Sequence, residues 1–553
     1  MMTAVLDWAD TQKIGFSHFI SLGNKCDVDE VDFVEEIADD PDTSILILYL
    51  ESVSDGKKFF DVVSKATKKK PVVILKSGIS PAGKEAASSH TGALAGDDIA
   101  FDIAFERCGV IRAKTMKELF DLSNLFDKVK LPLGEKFAIL TNAGGPGIIA
   151  TDTFEQFNIE FAKFTDETTE KLRATLPAEA SVKNPVDIVG DARPKRFGEA
   201  LSAIFQESSD ICAGALVLVT PQSTTDPTAV ADTLVAIHKQ YPDRLMLTTF
   251  IGGETMQVPR RIVESHGIPA YSFPEPAIRS LRALIDYKRY IRESEQDPNH
   301  ENVNNKVIRF EVDDKRIDEI IEKAKAENRR MLLPYETSEI CSMYGLPVPA
   351  SRLAETKESV SRICEEVGFP IIMKIASPEI QHKTDCGGVR PNINSVEEAE
   401  EAFTEILNNV AEKGPKGAKI AGVEIQKMVD SSKASKKTEI IVGMSKDPQW
   451  GPMLMVGAGG IYANYMKDVS FELAREYTKD LALKQLSATK VYQILEGVRG
   501  EKPSEINILL ETMMKVAQLV RDHNNIDEMD MNPIWVFAEG EGVVALDVKI
   551  MVS

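Results

Sequence analysis

Short apolar runs of strand length alternate with helix-length amphipathic segments along nearly the whole chain, and this alternation constrains the fold more than any single motif. Ile45 to Leu50 and Val72 to Leu75 read as buried strands, with helices over Asp29 to Ile37 and Gly56 to Lys68 between them. A strand that is apolar on both faces needs a helix on each side, so the pattern predicts an α/β fold built on parallel sheets. The rhythm resumes at Phe137 to Leu140 and continues through Lys183 to Ile188, Ala215 to Gln222 and Met246 to Gly253, ending near Ile291. It breaks at Arg292 to Asn305, a stretch rich in Glu, Asp and Asn that carries Pro298 and reads as a linker. With 553 residues the chain is long enough for several domains. The expected boundaries are 1–130, 131–291, a linker over 292–330 and a last domain over 331–553.

Composition narrows the partners. No apolar run approaches the roughly 20 residues of a membrane span, and the start, Met1-Met2-Thr3-Ala4-Val5-Leu6-Asp7-Trp8, has no signal-peptide pattern. The expectation is a cytoplasmic chain with no membrane partner. A formal net charge of −21 argues against nonspecific binding to nucleic acid. The six cysteines show no CxxC spacing, which argues against a zinc site or a disulfide framework and leaves them as reduced core or loop thiols.

Two loops present a histidine among small or polar residues. The first follows the strand Val72 to Leu75: Lys76-Ser77-Gly78-Ile79-Ser80-Pro81-Ala82-Gly83-Lys84, then Ser88-Ser89-His90-Thr91-Gly92-Ala93. Imidazole is nucleophilic near neutral pH, and a phosphoryl group on its nitrogen stays reactive enough to be passed on. Glycine amides and the start of a helix expected over Ala95 to Phe105 would hold phosphate oxygens. An ordinary surface-loop histidine fits the same residues. The second loop is Ser377-Pro378-Glu379-Ile380-Gln381-His382-Lys383-Thr384-Asp385-Cys386-Gly387-Gly388, where a structural loop histidine is again the plain alternative.

Other candidates sit at element ends. Glu51 closes an apolar run, which places it at the C-terminal edge of a parallel sheet, where open α/β sheets put their sites; a solvated strand-end carboxylate is the other reading. Thr141-Asn142-Ala143-Gly144-Gly145-Pro146-Gly147 leads into a helix expected from Ile148, so Gly144, Gly145 and Gly147 form either an anion cradle or a tight strand-to-helix turn. Lys374 ends the strand Phe369 to Lys374 and is either a phosphate contact or a snorkelling side chain. Near the end, Asp530-Met531-Asn532-Pro533 and Ala545-Leu546-Asp547-Val548-Lys549 read as paired strands carrying oxygen donors. Asn532 and Asp547 suit a hard cation, or serve only as turn and strand-end residues.

Taken in order, these motifs resemble the NDP-forming acyl-CoA synthetases, the superfamily that includes succinyl-CoA synthetase and ADP-forming acetyl-CoA synthetase. Over Thr3 to Gly109 the resemblance rests on Phe19-Ile20-Ser21-Leu22-Gly23-Asn24-Lys25, on Ile47-Leu48-Tyr49-Leu50-Glu51 and on Ser89-His90-Thr91-Gly92-Ala93. It implies two flavodoxin-like ligase-CoA domains followed by an ATP-grasp module. It further implies that His90 is phosphorylated and held by Glu51, and that the helix start at Gly144 faces the phosphohistidine. Lys374 would contact nucleotide phosphate, and the strand Ala421 to Met428, with Glu424, Gln426 and Met428, would line the adenine pocket. Asn532 and Asp547 would bind Mg²⁺. In the ADP-forming acetyl-CoA synthetase branch, His382 resembles a second phosphohistidine that relays the group towards ATP. Succinyl-CoA synthetases lack that loop.

The implied reaction is reversible: acyl-CoA, phosphate and ADP give carboxylic acid, CoA and ATP, carried out by a homo-oligomer. Two departures qualify the match. Asn464 stands where relatives usually have glutamate after the glycine loop Gly457-Ala458-Gly459-Gly460, and Phe471-Glu472-Leu473-Ala474-Arg475 replaces the more usual Phe-Arg-Leu-Ala-Pro. Relatives also begin with a CoA-binding Rossmann domain and a first strand that this sequence does not contain, which implies a longer reading frame or a separate CoA-binding subunit. A noncatalytic, partner-dependent nucleotide-binding subunit is therefore the alternative function. An ATP-grasp ligase working by amine attack on an acyl phosphate leaves both histidine loops without a role.

Overall fold

The computed structural model describes residues 2–12, 14–23, 25, 27–80, 98–296, 307–312, 314–380, 383–430, 434–460 and 468–553. His90, His382 and Asn464 lie outside the described residues. The chain divides into two compact units, one formed by residues 1–95 and 105–298, the other by 96–104 and 299–553.

The first unit holds two parallel sheets. One is three-stranded, in the order β1 (Leu46–Leu50), β2 (Val72–Lys76), β3 (Ile111–Ala113). All five residues of β2 are buried, as expected of a strand covered on both faces. The crossover helix Gly56–Lys69 starts at Asp55, whose carboxylate accepts the Lys57 and Lys58 amides at 2.8 and 3.0 Å, and it ends on Lys68 and Lys69, which suit the negative end of its dipole. The helix Glu30–Ile37 is opened by a capping box between Asp29 and Asp32.

The second sheet runs β5 (Glu160–Phe161), β4 (Lys136–Thr141), β7 (Gly214–Val219), β8 (Leu245–Phe250), β9 (Ala270–Tyr271), with β6 (Val186–Asp187) also pairing β4. From β4 the chain winds one way to β5 and β6 and then the other way to β7, so a topological switch point lies between β4 and β7. The long helix Pro274–Gln296 buries Leu281, Leu284 and Ile285 in a core that includes strand residues of both sheets, Val73 and Leu75 with Ile139 and Leu216. It continues past Ile291, where the βα rhythm was expected to stop.

The second unit also has two sheets, both largely antiparallel. One is β10 (Ser351–Ala354), β13 (Gly422–Lys427), β11 (Ile371–Ala376), β12 (Val389–Ile393). The other is β16 (Val469–Leu473), β15 (Gly451–Ala458), β14 (Lys437–Asp447), β17 (Ile526–Phe537), β18 (Val543–Ala545), with β19 (Val548–Val552) on β17. Within the stretch expected to be linker, the structure forms a helix, Asp314–Ala326, whose Ile317, Ile320, Ile321 and Ala324 are buried in the core of this unit. The Leu332 amide then bonds the Ile550 carbonyl at 3.0 Å, which stitches this entry segment to the last strand. Among the described residues no helix is long and apolar enough to cross a membrane, and the five described cysteines are buried.

Candidate functional site

At the edge of the first sheet, Glu51 follows the last residue of β1, and the Ser77 amide beyond β2 donates to the Leu50 carbonyl at 2.9 Å. Glu51 is half-buried, and among the described residues its carboxylate makes no ion pair and no hydrogen bond. It is available to accept an N–H. Beside it, Lys25 donates to the Ser52 carbonyl at 2.7 Å and pairs with the buried Glu30 carboxylate at 2.8 Å, so the backbone that carries Glu51 is anchored from the preceding segment. Composition did not single out Lys25 or Glu30.

At the switch point of the second sheet, the helix begins at Gly144 rather than Ile148. Thr141 explains the early start, because its hydroxyl donates to the Ala143 carbonyl at 2.8 Å and lies 3.0 Å from the Ala143 amide, bending the chain directly after β4. Gly144, Gly145 and Gly147 therefore form the first helical turn. Ala143, the residue before it, offers no side-chain cap, which leaves first-turn amides open to an anion. Asp187 was not anticipated here: its Oδ2 lies 3.4 Å from where a Cβ on Gly144 would stand, and its Oδ1 accepts the Val189 amide at 2.9 Å. Val189 holds a φ of 68°, an uncommon state for a β-branched residue, beside this carboxylate. Beneath the cradle the fully buried Asn142 clamps β4 to β7: its Oδ1 accepts the Thr220 amide at 2.9 Å and hydroxyl at 3.0 Å, and its Nδ2 donates to the Thr220 carbonyl at 3.0 Å.

In the second unit, one pocket is lined by Lys374, Lys383, Glu424, Gln426 and Asp547, together with Pro334, Thr337, Ser338, Val348, Pro349 and the turn at Leu546. The strand register explains the convergence. Lys374 on β11 is paired with Glu424 on β13, so the two side chains share a face, and Gln426 follows two residues on. Lys374 Nζ donates to Gln426 Oε1 at 2.7 Å. Glu424 is buried; its Oε1 accepts the Ser351 hydroxyl at 2.6 Å, while its Oε2 has no hydrogen-bond partner among the described residues. Met428 is not in the lining; its amide donates to the Pro370 carbonyl at 2.9 Å.

Residues 1–126 match the succinyl-CoA ligase-like flavodoxin domain, and residues 323–552 match an ATP-grasp domain. An ADP-forming acetate–CoA ligase I of Archaeoglobus fulgidus is 40% identical over 542 residues, covering 98% of this chain and 75% of the relative. The chain belongs to the ADP-forming acetate–CoA ligase family. A 4-hydroxybutyrate–CoA ligase (ADP-forming) of Nitrosopumilus maritimus is 39% identical over 99% of this chain and 76% of its own length. Among solved structures, the dinucleotide-forming acetyl-coenzyme A synthetase 1 of Ca. Korarchaeum cryptofilum, in complex with phosphate and ADP, is 30% identical with a TM-score of 0.50, over 53% of this chain and 64% of that one.

ADP-forming ligases of this family use a nucleotide and CoA as substrates, and their ATP-grasp module raises the question of a divalent cation. Asn532 Oδ1 accepts the Gly460 amide at 2.9 Å and retains a second lone pair, and the Asn532 amide bonds the Asp547 carbonyl at 3.1 Å. The Asp547 carboxylate is exposed, with Lys549 at 3.8 Å. Asp530, two residues before Asn532, has a shielded Oδ1 with no hydrogen-bond partner among the described residues; burial pushes its carboxyl up, against the pull of Lys549. Among the described residues no group of three or more His, Cys, Asp or Glu side chains could hold a metal alone. Mg²⁺ binds through one or two carboxylates and takes its remaining oxygens from phosphates and water, so this sparse donor set fits a cation shared with a nucleotide.

Proposed function

We propose that the chain interconverts acyl-CoA, phosphate and ADP with carboxylic acid, CoA and ATP through phosphohistidines at His90 and His382. Phosphate oxygen attacks the acyl carbon and CoA thiolate leaves, which yields an acyl phosphate. A His90 ring nitrogen then bonds the phosphorus as the P–O bond to the carboxylate breaks. His382 takes the phosphoryl group as the P–N bond at His90 breaks, and an oxygen of the ADP β-phosphate takes it in turn, freeing His382 and completing ATP. Glu51 accepts the second ring N–H of His90 and orients the imidazole for attack. First-turn amides at Gly144 and Gly145 hold the phosphoryl oxygens, Gly147 closes the turn through its amide bond to the Ala143 carbonyl, and Asp187 limits how much negative charge the cradle accepts.

Phosphoryl transfer needs little covalent help from the protein beyond positioning and charge neutralisation. Lys374 supplies charge to the nucleotide phosphates, and Glu424 and Gln426 hold the nucleotide's donor groups. Asn532 and Asp547 would hold Mg²⁺, which would supply charge neutralisation for the nucleotide phosphates when bound. The observation that carries the reading is the convergence of Lys374, Glu424, Gln426 and Asp547 on one pocket, in a chain whose relatives over nearly its full length are ADP-forming ligases. The acid is a simple carboxylic acid, acetate or a hydroxyacid, as in the relatives.

The test is ATP formation from acetyl-CoA, phosphate and ADP, with and without an added CoA-binding subunit. The reading expects turnover that is lost in both His90→Ala and His382→Ala. Turnover that survives His382→Ala would remove the relay.

A further inference from the structure

The nucleotide pocket contains one charged group that the scheme above leaves without a task, Lys383. It opens the turn over 383–387, and two donors fix its carbonyl: the Gly388 amide at 2.8 Å and the Cys386 thiol at 3.2 Å. A Cβ on Gly388 would stand 2.7 Å from Ile375 Cγ2 and 2.9 Å from that same carbonyl, so the turn closes tightly against β11 only with glycine there. The backbone of Lys383 is thus held, and its side chain lines the pocket rather than reaching for bulk water.

Among the described residues the Lys383 ammonium makes no ion pair and no hydrogen bond. Lys374, in the same lining, is tied to Gln426. The nearest compensation is equally unspent, because Glu424 is 2% exposed and, among the described residues, its Oε2 has no hydrogen-bond partner. A free ammonium and a free carboxylate oxygen that share a pocket without pairing mark the two ends of a ligand carrying anionic acceptors at one end and hydroxyl or amine donors at the other. A nucleotide has that polarity.

We propose that Lys383 donates to the phosphoryl oxygens of the nucleotide alongside Lys374, an assignment that rests on reading this pocket as the nucleotide site. The charged groups that act on it agree. Burial pushes its ammonium down, Lys374 and Lys549 push the same way, and Glu424 and Asp547 oppose them. An ammonium in that state gains more from a phosphate oxygen than a solvated lysine does.

The experiment measures binding of adenosine, AMP and ADP by calorimetry to the full chain, for wild type, Lys383→Met and Lys383→Arg, with thermal melts to confirm folding. The expected result is a loss of at least about tenfold in ADP affinity for Lys383→Met, the scale of a charge-assisted hydrogen bond, with adenosine affinity unchanged and partial recovery in Lys383→Arg. Should the Met variant not fold, Lys383→Gln carries the same comparison. ADP binding equal to wild type in the variant overturns the proposal, and so does an equal loss for adenosine and ADP, which marks a structural role. Wild type that binds neither ADP nor AMP overturns the nucleotide reading itself, a different result from either.

Discussion

Replacing Asn142 by Ala is the sharpest test of how the second sheet is held together at its switch point. The substitution removes three hydrogen bonds to Thr220, at 2.9, 3.0 and 3.0 Å, from a side chain with no exposed surface. Thr220 itself is 8% exposed, so its amide and carbonyl lose their partner where bulk water does not reach. Each buried backbone group left unpaired costs about 1–3 kcal/mol, which puts the loss near 3–5 kcal/mol when water enters part of the vacated volume. The chain has two units, so a single bulk unfolding curve is unsuitable. Hydrogen exchange by mass spectrometry in a urea series, read on peptides from β4 and β7 with β14 and β15 as internal reference, resolves the first unit alone. The prediction is a loss confined to the first unit, and a loss below about 1 kcal/mol would refute the clamp. Asn142→Asp adds a sign. Its second oxygen faces the Thr220 carbonyl, which raises the folded carboxyl above its unfolded value. The variant should therefore lose stability as pH rises above about 4 and recover part of it in acid.

Three further outcomes follow from the same structure. Burial holds the Glu264 carboxyl above its usual range despite Lys128, Arg260 and Arg261 nearby, so its ionisation costs stability as pH rises from its unfolded value through its folded one; by the same exchange measurement, Glu264→Gln should make the first unit more stable than in wild type at pH 7 and equally stable below about pH 4. Gly388→Ala places a methyl group against Ile375 and the Lys383 carbonyl, and should weaken ADP binding while leaving the first unit's exchange protection unchanged. Asn532→Ala removes both a candidate metal ligand and the partner of the Gly460 amide, so titrating Mg²⁺ against ADP affinity should show a weaker metal dependence than wild type, and an unchanged dependence would remove Asn532 from the site.

The strands were legible because parallel strands buried on both faces are near-continuous apolar runs. β2 and β7 needed no more than that. The helix Asp314–Ala326 was hidden by charge: nearly every exposed position is Lys, Arg, Asp or Glu, and composition outweighed the apolar spacing at Ile317, Ile320, Ile321 and Ala324 that marks a helix face. The early helix start at Gly144 was missed because glycine is a poor helix interior, although at a first turn that penalty is small and the Thr141 hydroxyl offsets it. Lys374 stood out as a lysine ending an apolar strand, and Glu424 and Gln426 through the resemblance alone; the strand register explains why the three share a face. Lys383, Asp187 and Asn142 depend on which loops meet in space, and a period along one strand carries no such information. For Asp187 the signal available was its place at the end of a strand, the same cue that singled out Glu51.

The central claim is that two histidines carry the phosphoryl group. Full-length chain incubated with γ-³²P-ATP and Mg²⁺, then digested, should yield acid-labile, base-stable label on peptides containing His382 and His90. His382→Ala should abolish both labels, and His90→Ala should leave only the label at His382. Label at His90 that persists in His382→Ala, or a folded, nucleotide-binding chain that takes no label, would contradict the relay.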